Sequence, residues 1–240
     1  MSKSYSFYPL GDAAVLIQFP DIVSEEVHRQ VTAAVKALEQ MPFLGWVESI
    51  PSFTSIAVYY DPRKIIKPDG YDTVYAYVCN MLEQLIDTDA AAENGGADKE
   101  IVEIPVCYGG DYGPDLDEVA QTNGLLPEEV IRLHCGQDYL IYAIGFAPGF
   151  PYVGGVSEKI ATPRKKTPRL RIPAGSVGIA GMQTGIYPIE TPGGWQIIGR
   201  TPLALFQPEA QSPTLLNSGQ YIRFRPIAAE EYEHLREVIV

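Results

Sequence analysis

The stretch IPAGSVGIAGMQTGIYPIETPGGWQIIGRTP, residues 172–202, decides the fold of the second half of this chain. Glycine and proline punctuate it every few residues, and the apolar pieces between them are short, at 176–180, 186–190 and 195–199. Glycine suits tight turns and proline interrupts regular structure, so these pieces predict short strands joined by turns. Many short strands with Gly/Pro turns are typical of a β-barrel or a β-sandwich.

Further elements are predicted on both sides of this stretch. Strands are expected at 101–107, 139–146 and 221–226, two short helices at 115–123 and 127–135, and a last helix near 229–238. In the second short helix Pro127 suits the first helical position, and Glu128 and Glu129 complement the positive end of the helix dipole.

The first part of the chain mixes helices with strands. A strand is predicted at 13–19, and a helix follows, with Ser24 as its N-cap and Pro42 at its end. Two strands at 47–50 and 54–60 and a helix at 71–85 come next. The order β-α-β-β-α favours a ferredoxin-like α+β domain.

A small, polar segment separates these two parts. The residues TDAAAENGGADKE, 88–100, include none that forms a core, which is typical of a linker. The sequence therefore predicts an α+β protein with an N-terminal domain at 1–88, a linker at 89–100 and a β-rich domain, barrel or sandwich, at 101–240.

Composition excludes several classes of function. The 240 residues carry a net charge of −12, and so acidic a chain is a poor binder of nucleic-acid phosphates. No apolar run is long enough for a membrane span, and the first residues lack a signal-peptide pattern, so we expect no membrane contact and a cytoplasmic location. The three histidines and three cysteines show no metal-binding spacing, so no metal site is expected on this chain.

Residues 159–171 form a basic segment on this acidic protein. It holds no acidic residue and six basic ones: Lys159, Arg164, Lys165, Lys166, Arg169 and Arg171. Such a segment predicts a site for a carboxylate, a phosphate or an acidic protein surface. A solvated loop is the alternative, which we favour for Lys165 and Lys166. Arg164 and Arg169 each follow a proline, and a fixed preceding backbone favours a pre-oriented guanidinium.

Aromatic side chains and glycines lie in and around the same segments. The aromatic residues are predicted to line a small-molecule pocket or a protein-docking patch, although each alone is more typical of a core; they are Phe146, Phe150, Tyr152, Tyr187 and Trp195.

No nucleophile or catalytic base is assigned from the sequence. His134 is a candidate acid or base because its ordinary pKa is near neutral, but a histidine at a helix end often binds the last carbonyls instead. Ser176 lacks the GxSxG pattern of a nucleophile elbow. The glycine-rich stretches match neither a P-loop nor the dinucleotide fingerprint.

Four motifs in register resemble one bacterial family. They are GDAAVLIQF (11–19), GFAPGFPYVGG (145–155), TPRKKTPR (162–169) and the stretch 172–202. The family includes the B component of 5-oxoprolinase, the kinase inhibitor KipI and the protein once called allophanate hydrolase subunit 1. Related segments occur in the carboxyltransferase region of urea carboxylase.

This resemblance implies an architecture and an activity. An α+β domain would precede a cyclophilin-like β-barrel. The protein would work with two partner subunits, the homologous C component and the A component, to open 5-oxo-L-proline to L-glutamate at the expense of ATP. ATP and Mg²⁺ would then be cofactors of the complex, with neither assured on this chain.

The substrate carries a carboxylate and a lactam. Arg164, Arg169 or Arg171 would hold the carboxylate, and backbone amides in segments 145–149 or 175–178 would stabilise an oxyanion or a phosphorylated lactam intermediate. The full predicted substrate-binding set is Arg164, Arg169, Arg171, Gly145, Gly149, Phe150, Gly175, Ser176, Gly178 and Gln183.

The same resemblance leaves other functions open. A regulator similar to KipI would dock part of the barrel surface on a sensor histidine kinase and block its autophosphorylation. A carboxyltransferase component acting on an amide-like substrate is a third function, with any biotin on another chain. We favour the enzyme component, which predicts an inward-facing pocket completed by the C component.

Overall fold

The computed structural model describes residues 5–89 and 99–239. The chain forms two compact units, one within Met1–Ala97 and the other within Asp98–Val240. The predicted linker, 89–100, lies for the most part outside the described residues. The domain bounds 1–88 and 101–240 therefore stay predictions.

The first unit is a four-stranded antiparallel sheet with two helices. Its elements are β1 (Ser6–Pro9), β2 (Ala14–Gln18), α1 (Glu25–Gln40), β3 (Trp46–Pro51), β4 (Ser55–Tyr60), a 3₁₀ turn (Pro62–Lys64) and α2 (Val74–Asp89). The strands lie in the order β1-β2-β4-β3. Helix α1 begins where the Ser24 hydroxyl accepts a hydrogen bond from the Val27 backbone N–H, which confirms the predicted N-cap.

One face of this sheet packs on both helices. Val15 and Ile17 on β2 and Ile56 and Val58 on β4 are fully buried, as alternation along a strand requires. They share one core with apolar residues of α1 and α2, such as Val31 and Leu82. The predicted apolar helix faces therefore form this core.

The ferredoxin-like part of the fold prediction is not confirmed. The described elements follow the order β-β-α-β-β-α, whereas a ferredoxin-like domain has β-α-β-β-α-β. The additional strand, β1, precedes those predicted and pairs with β2 at the sheet edge. It escaped prediction because its four residues, SFYP, are short and end in a proline.

The second unit is a β-barrel with flanking helices. Its elements are β5 (Ile101–Tyr108), α3 (Leu116–Asn123), α4 (Pro127–His134), β6 (Asp138–Ile144), β7 (Pro151–Gly154), a 3₁₀ turn (Glu158–Ile160), β8 (Arg169–Ile172), β9 (Ser176–Ala180), β10 (Gln183–Ile186), β11 (Thr191–Gly193), β12 (Gln196–Arg200), β13 (Tyr221–Ile227) and α5 (Ala229–Ile239).

Seven of these strands close the barrel in the order β10-β7-β6-β13-β5-β12-β9, while β8 and β11 form a separate pair. The barrel prediction is confirmed, and the seven-stranded closure fits the cyclophilin-like expectation. Among the described helices none is long and apolar enough to cross a membrane.

One predicted strand is misplaced. The strand expected at 186–190 lies instead at Gln183–Ile186, where it pairs with β9 across a turn at Gly181. The strand was predicted there because Ile186, Tyr187 and Ile189 are apolar. Pro188 lies among them and cannot donate a backbone hydrogen bond to a sheet. Gln183 and Thr184 are less apolar and join the sheet because β9 lies beside them.

The barrel wall separates two apolar clusters. Side chains of Val177, Ile179, Ile186 and Ile198 belong to the core inside the barrel. Alternate positions on the same strands face the other way, toward a second cluster made of Phe150, Ile172, Ala180, Tyr187, Trp195 and Ile197. The Gly/Pro-rich segments thus form a layer on the outside of the wall, and the inward-facing pocket completed by the C component stays a prediction.

Candidate functional site

A cavity of about 490 Å³ opens beside this outer layer. The middle of the basic segment, 162–167, forms most of its wall, together with residues of α3 and the first residue of β12; the lining includes Glu118, Pro163, Arg164, Lys165, Lys166 and Gln196. Its volume lies within the range of small-molecule sites.

Asp115, just before α3, holds the basic segment in place through contacts with Arg169 and Lys165. Its side chain is 3% exposed and accepts two hydrogen bonds from the Arg169 guanidinium, of 2.7 and 2.6 Å. Lys165 Nζ lies 2.9 Å from Oδ1, and the Ile197 backbone N–H donates to Oδ2 over 2.7 Å. Burial raises the pKa of this carboxyl, but hydrogen bonds from Arg169, Ile197 and Lys165 outweigh burial and hold the pKa below its usual value.

These contacts change the roles predicted from the sequence for Arg169 and Lys165. Arg169 is committed to Asp115 by a bidentate pair and is not free to bind a ligand carboxylate. The solvated-loop prediction is wrong for Lys165, whose side chain is 19% exposed and also lies 2.6 Å from Glu118 Oε2. Lys166 is exposed, in agreement with that prediction.

Arg164 differs from the other two predicted arginines. It is exposed at the cavity wall, and its guanidinium carbon lies 5.8 Å from the centre of the Trp195 ring. Arg171, on β8, lies 3.4 Å from Glu190 and is also exposed. Within residues 5–89 and 99–239, Arg164 has no carboxylate partner, so its charge is available to an anion.

Gln196 lies at the same cavity and was missed by the sequence analysis. The side chain is 3% exposed, and its Nε2 donates to the Pro163 carbonyl over 3.1 Å. Its Oε1 is buried and meets no hydrogen-bond donor among the described residues. The sequence signal that could have identified Gln196 is its amide side chain among apolar neighbours, in WQII at 195–198.

The aromatic residues divide into a buried cluster and one exposed ring. Phe150 is buried and packs edge-on against Trp195 and Tyr187, with ring centres 5.6 and 5.4 Å apart. Phe146 is 68% exposed and touches the rim of this cluster through Phe150. Phe150 therefore supports the site by packing, while Phe146 faces solvent.

The backbone at Phe146 is strained. The Ala147 N–H donates to the Gly145 carbonyl over 2.8 Å, which closes a three-residue turn around Phe146 with φ at 68°. A γ-turn with positive φ is rare, and such strain is concentrated at functional sites. The Gly145 N–H itself donates to the Phe150 carbonyl, over 3.1 Å.

The predicted glycine-rich amides serve the fold. Gly175 donates its N–H to the Tyr187 carbonyl over 2.7 Å, and its own carbonyl accepts from the Thr201 N–H. Ser176 and Gly178 are buried on β9 rather than in a loop. Gly149 is buried too, with φ at 79°.

Strand register shows which predicted residues come together. Gln196 pairs with Ile179 near the end of β9, whereas Arg200 pairs with Ser176 at its start. The half-buried Gln183, beside Ala180, therefore lies at the end of β9 that carries the cavity. Gly175 and Ser176 lie at the other end.

His134 is buried inside the second unit. Its Nδ1 lies 2.8 Å from the Tyr108 hydroxyl and its Nε2 lies 2.9 Å from Thr184 Oγ1. Burial lowers the pKa of the ring to about 3. These contacts join α4 to the barrel strands and leave the imidazole without access to solvent. In the described parts of the chain, no group of three His, Cys, Asp or Glu residues could hold a metal ion.

The chain matches a known family model and several curated proteins. Residues 5–216 match the model described as carboxyltransferase domain, subdomain C and D. The B component of the 5-oxoprolinase of Bacillus subtilis (strain 168) is 49% identical over 99% of both chains. The protein of the same name from Escherichia coli O157:H7 is 39% identical over 91% of this chain and 94% of its own. The urea amidolyase of Saccharomyces cerevisiae is 22% identical over 99% of this chain but 14% of its own length.

Two solved structures also resemble this chain in sequence and in fold. An uncharacterised protein of Pyrococcus horikoshii is 44% identical and covers 95% of this chain and 100% of its own, with a TM-score of 0.55. The protein TTHA0988 is 35% identical over 90% of this chain, with a TM-score of 0.76. This chain spans 40% of the length of TTHA0988.

Proposed function

This chain belongs to the family of carboxyltransferase domains, subdomains C and D, and we propose that it is the B component of an ATP-dependent 5-oxoprolinase. Together with partner subunits it would open the lactam of 5-oxo-L-proline to give L-glutamate. The observation that carries this proposal is the 49% identity to the corresponding protein of Bacillus subtilis, which extends over 99% of both chains.

The cavity beside β12 supplies a site for the substrate carboxylate. Arg164 is exposed there, follows a proline and has no carboxylate partner within the described residues. Arg169 serves instead to anchor the segment, because both of its charged hydrogen bonds go to Asp115. Of the three arginines predicted for the carboxylate, Arg164 is therefore the one that we assign to it.

ATP and Mg²⁺ belong to other subunits in this proposal. Mg²⁺ in ATP sites is held by carboxylates together with phosphate oxygens. The described residues of this chain offer no cluster of three acidic or histidine side chains, and the sequence has no P-loop. The described residues thus supply no three-ligand cluster for Mg²⁺, and no step of the reaction is assigned to ATP on this chain. Because the proposed reaction consumes ATP, we propose a cytoplasmic location for the complex.

Partner subunits would bind the face that displays Phe146. Its ring is exposed on a strained turn at the edge of the aromatic cluster, beside a rigid barrel wall. Aromatic side chains anchor many protein interfaces, and a pre-organised backbone lowers the entropy lost on binding. We assign this face to the homologous C component, with the A component completing the enzyme.

Reconstitution tests the proposed function. This chain is co-expressed with the C and A components, and ATP-dependent glutamate release from 5-oxoproline is measured with and without it. We expect release by the complete complex and none when this chain is omitted.

Either of two results would contradict the proposal: a stable complete complex that releases no glutamate, or equal release without this chain. The regulator similar to KipI is then the function to test, by adding the isolated chain to a histidine kinase and following autophosphorylation.

A further inference from the structure

We propose that Gln196 is a specificity residue, whose carboxamide oxygen accepts a hydrogen bond from the ring N–H of a small cyclic amide that Arg164 binds by its carboxylate. This inference rests on the proposed function and deepens it. It names the protein group that recognises the lactam, in addition to the one that binds the charge.

The buried oxygen of Gln196 is the starting observation. Buried polar atoms in proteins nearly always have a partner, and each one that lacks a partner requires an explanation. Nε2 is the end that donates to the Pro163 carbonyl, so Oε1 is the end left without a donor among the described residues. A ligand N–H at this position would satisfy it.

Arg164 is linked to Gln196 through Pro163 and lines the same cavity. Pro163, whose carbonyl binds Gln196, directly precedes Arg164, and both Gln196 and Arg164 line the same cavity. Because Oε1 is buried, the proposal includes an outward movement of the exposed segment at Pro163 and Arg164 when the ligand binds. The cation and the hydrogen-bond acceptor belong to residues that line one cavity.

The other charged residues that line the cavity are Glu118, Lys165 and Lys166. Lys165 is neutralised by Asp115 and Glu118, at 2.9 and 2.6 Å. Arg164 and Lys166 are the lining cations that have no carboxylate partner among the described residues. Arg164 is the one that directly follows Pro163, the residue bonded to Gln196. In 5-oxoproline the carboxylate and the ring N–H are on adjacent atoms, so one molecule presents an anion and a donor side by side. The cavity, at about 490 Å³, has ample room for it.

Ligand analogues separate this role from simple packing. The lactone 5-oxotetrahydrofuran-2-carboxylate has the shape and charge of 5-oxoproline but carries oxygen in place of the ring N–H. Leaving a buried acceptor unpaired costs about 1–3 kcal/mol, and a tenfold change in affinity is about 1.4 kcal/mol. The wild-type complex should therefore bind the lactam about five- to 150-fold more tightly than the lactone.

The experiment measures dissociation constants of both compounds by calorimetry with the assembled complex, for wild type and for Gln196→Met. Methionine has a similar length and no hydrogen-bond acceptor of comparable strength. We expect the preference for the lactam to fall to within about twofold in Gln196→Met. The matched control is Gln40→Met, the same exchange at an exposed position on α1 of the first unit, which should keep the wild-type preference.

Two results overturn the inference. One is a wild-type complex that binds the lactone as tightly as the lactam, which decides the question even if Gln196→Met does not fold. The other is a folded Gln196→Met complex that keeps the full preference. Failure of the proposed function is recognised separately, because the wild-type complex would then release no glutamate.

Discussion

His134 Nε2 lies 2.9 Å from Oγ1 of Thr184, and this contact fixes which ring nitrogen carries the proton. The Thr184 hydroxyl donates to the Gly178 carbonyl over 2.9 Å, so its oxygen is free to accept from Nε2–H. Nδ1 is then the acceptor for the Tyr108 hydroxyl, at 2.8 Å. The neutral ring satisfies both of these partners, and burial disfavours a second proton.

Stability should therefore fall as the pH falls. Burial lowers the pKa of His134 from 6.5 to about 3 in the folded state, so an unfolded chain takes up a proton first as the pH drops below 6.5. The stabilisation is complete above that pH and declines toward pH 3, with a loss of ~2 kcal/mol by pH 5.

Urea denaturation at pH 7 and pH 5 measures this loss. His134→Gln should be less stable than wild type at pH 7 yet lose ~2 kcal/mol less on going to pH 5. His28, whose pKa burial also lowers, contributes equally to both proteins. The same loss in both proteins would contradict a neutral, buried His134.

Asp115→Asn should destabilise the protein by about 2–4 kcal/mol, because it removes the charge that compensates Arg169 and the mostly buried Lys165. The control is Asp138→Asn, which breaks the more exposed pair with Arg223 and should cost less than about 1 kcal/mol. Denaturant titration of the isolated chain compares the two. Equal losses of unfolding free energy in the two variants would contradict a larger contribution from the buried ion pairs of Asp115.

Substitution of Phe146 separates strain from side-chain contact. Glycine and alanine both remove the ring, but only glycine adopts φ of 68° without steric cost. Phe146→Gly should therefore be more stable than Phe146→Ala by about 1 kcal/mol in thermal unfolding of the isolated chain. Both variants should bind the partner subunit more weakly than wild type. Alanine at least as stable as glycine would contradict the strained turn.

Gly175→Ala should lower the free energy of unfolding for two reasons: the positive φ at this position and a steric clash of the added Cβ. A Cβ at Gly175 would lie 2.3 Å from the Thr201 carbonyl oxygen, and the hydrogen bond from the Thr201 N–H to the Gly175 carbonyl holds the two backbone segments together. Gly155→Ala is the matched control, with φ of 87° but nothing within 4 Å of its Cβ. We expect Gly175→Ala to cost at least about 2 kcal/mol more than the control. Similar melting temperatures for the two variants would contradict the packing at Gly175.

Local patterns were sufficient to predict much of the fold. The Gly/Pro punctuation of 172–202 predicted short strands of a barrel or a sandwich, and apolar repeats with Ser24 as cap predicted α1, because these signals act within a few residues. The short edge strand β1 carries no such signal. Its pairing with β2 comes from the sheet rather than from its own four residues.

The candidate site was only partly predictable for a related reason. The basic segment was visible in the sequence, but the partner of Arg169 is Asp115, 54 residues away along the chain. Nothing local distinguishes Arg169 from Arg164, since each follows a proline. The fold makes the distinction by placing one guanidinium on a buried carboxylate and the other on the wall of a cavity.

The most direct test of the central claim is the activity of the reconstituted complex carrying Arg164→Ala. Loss of a charged contact to the substrate carboxylate costs about 1.5–3 kcal/mol, so kcat/KM for 5-oxoproline should fall about ten- to 150-fold, mainly through a higher KM. The control Arg132→Ala, an exposed arginine on α4, should leave kcat/KM unchanged. Wild-type kcat/KM in Arg164→Ala, within a complex that assembles normally, would contradict the assignment of this cavity to the substrate.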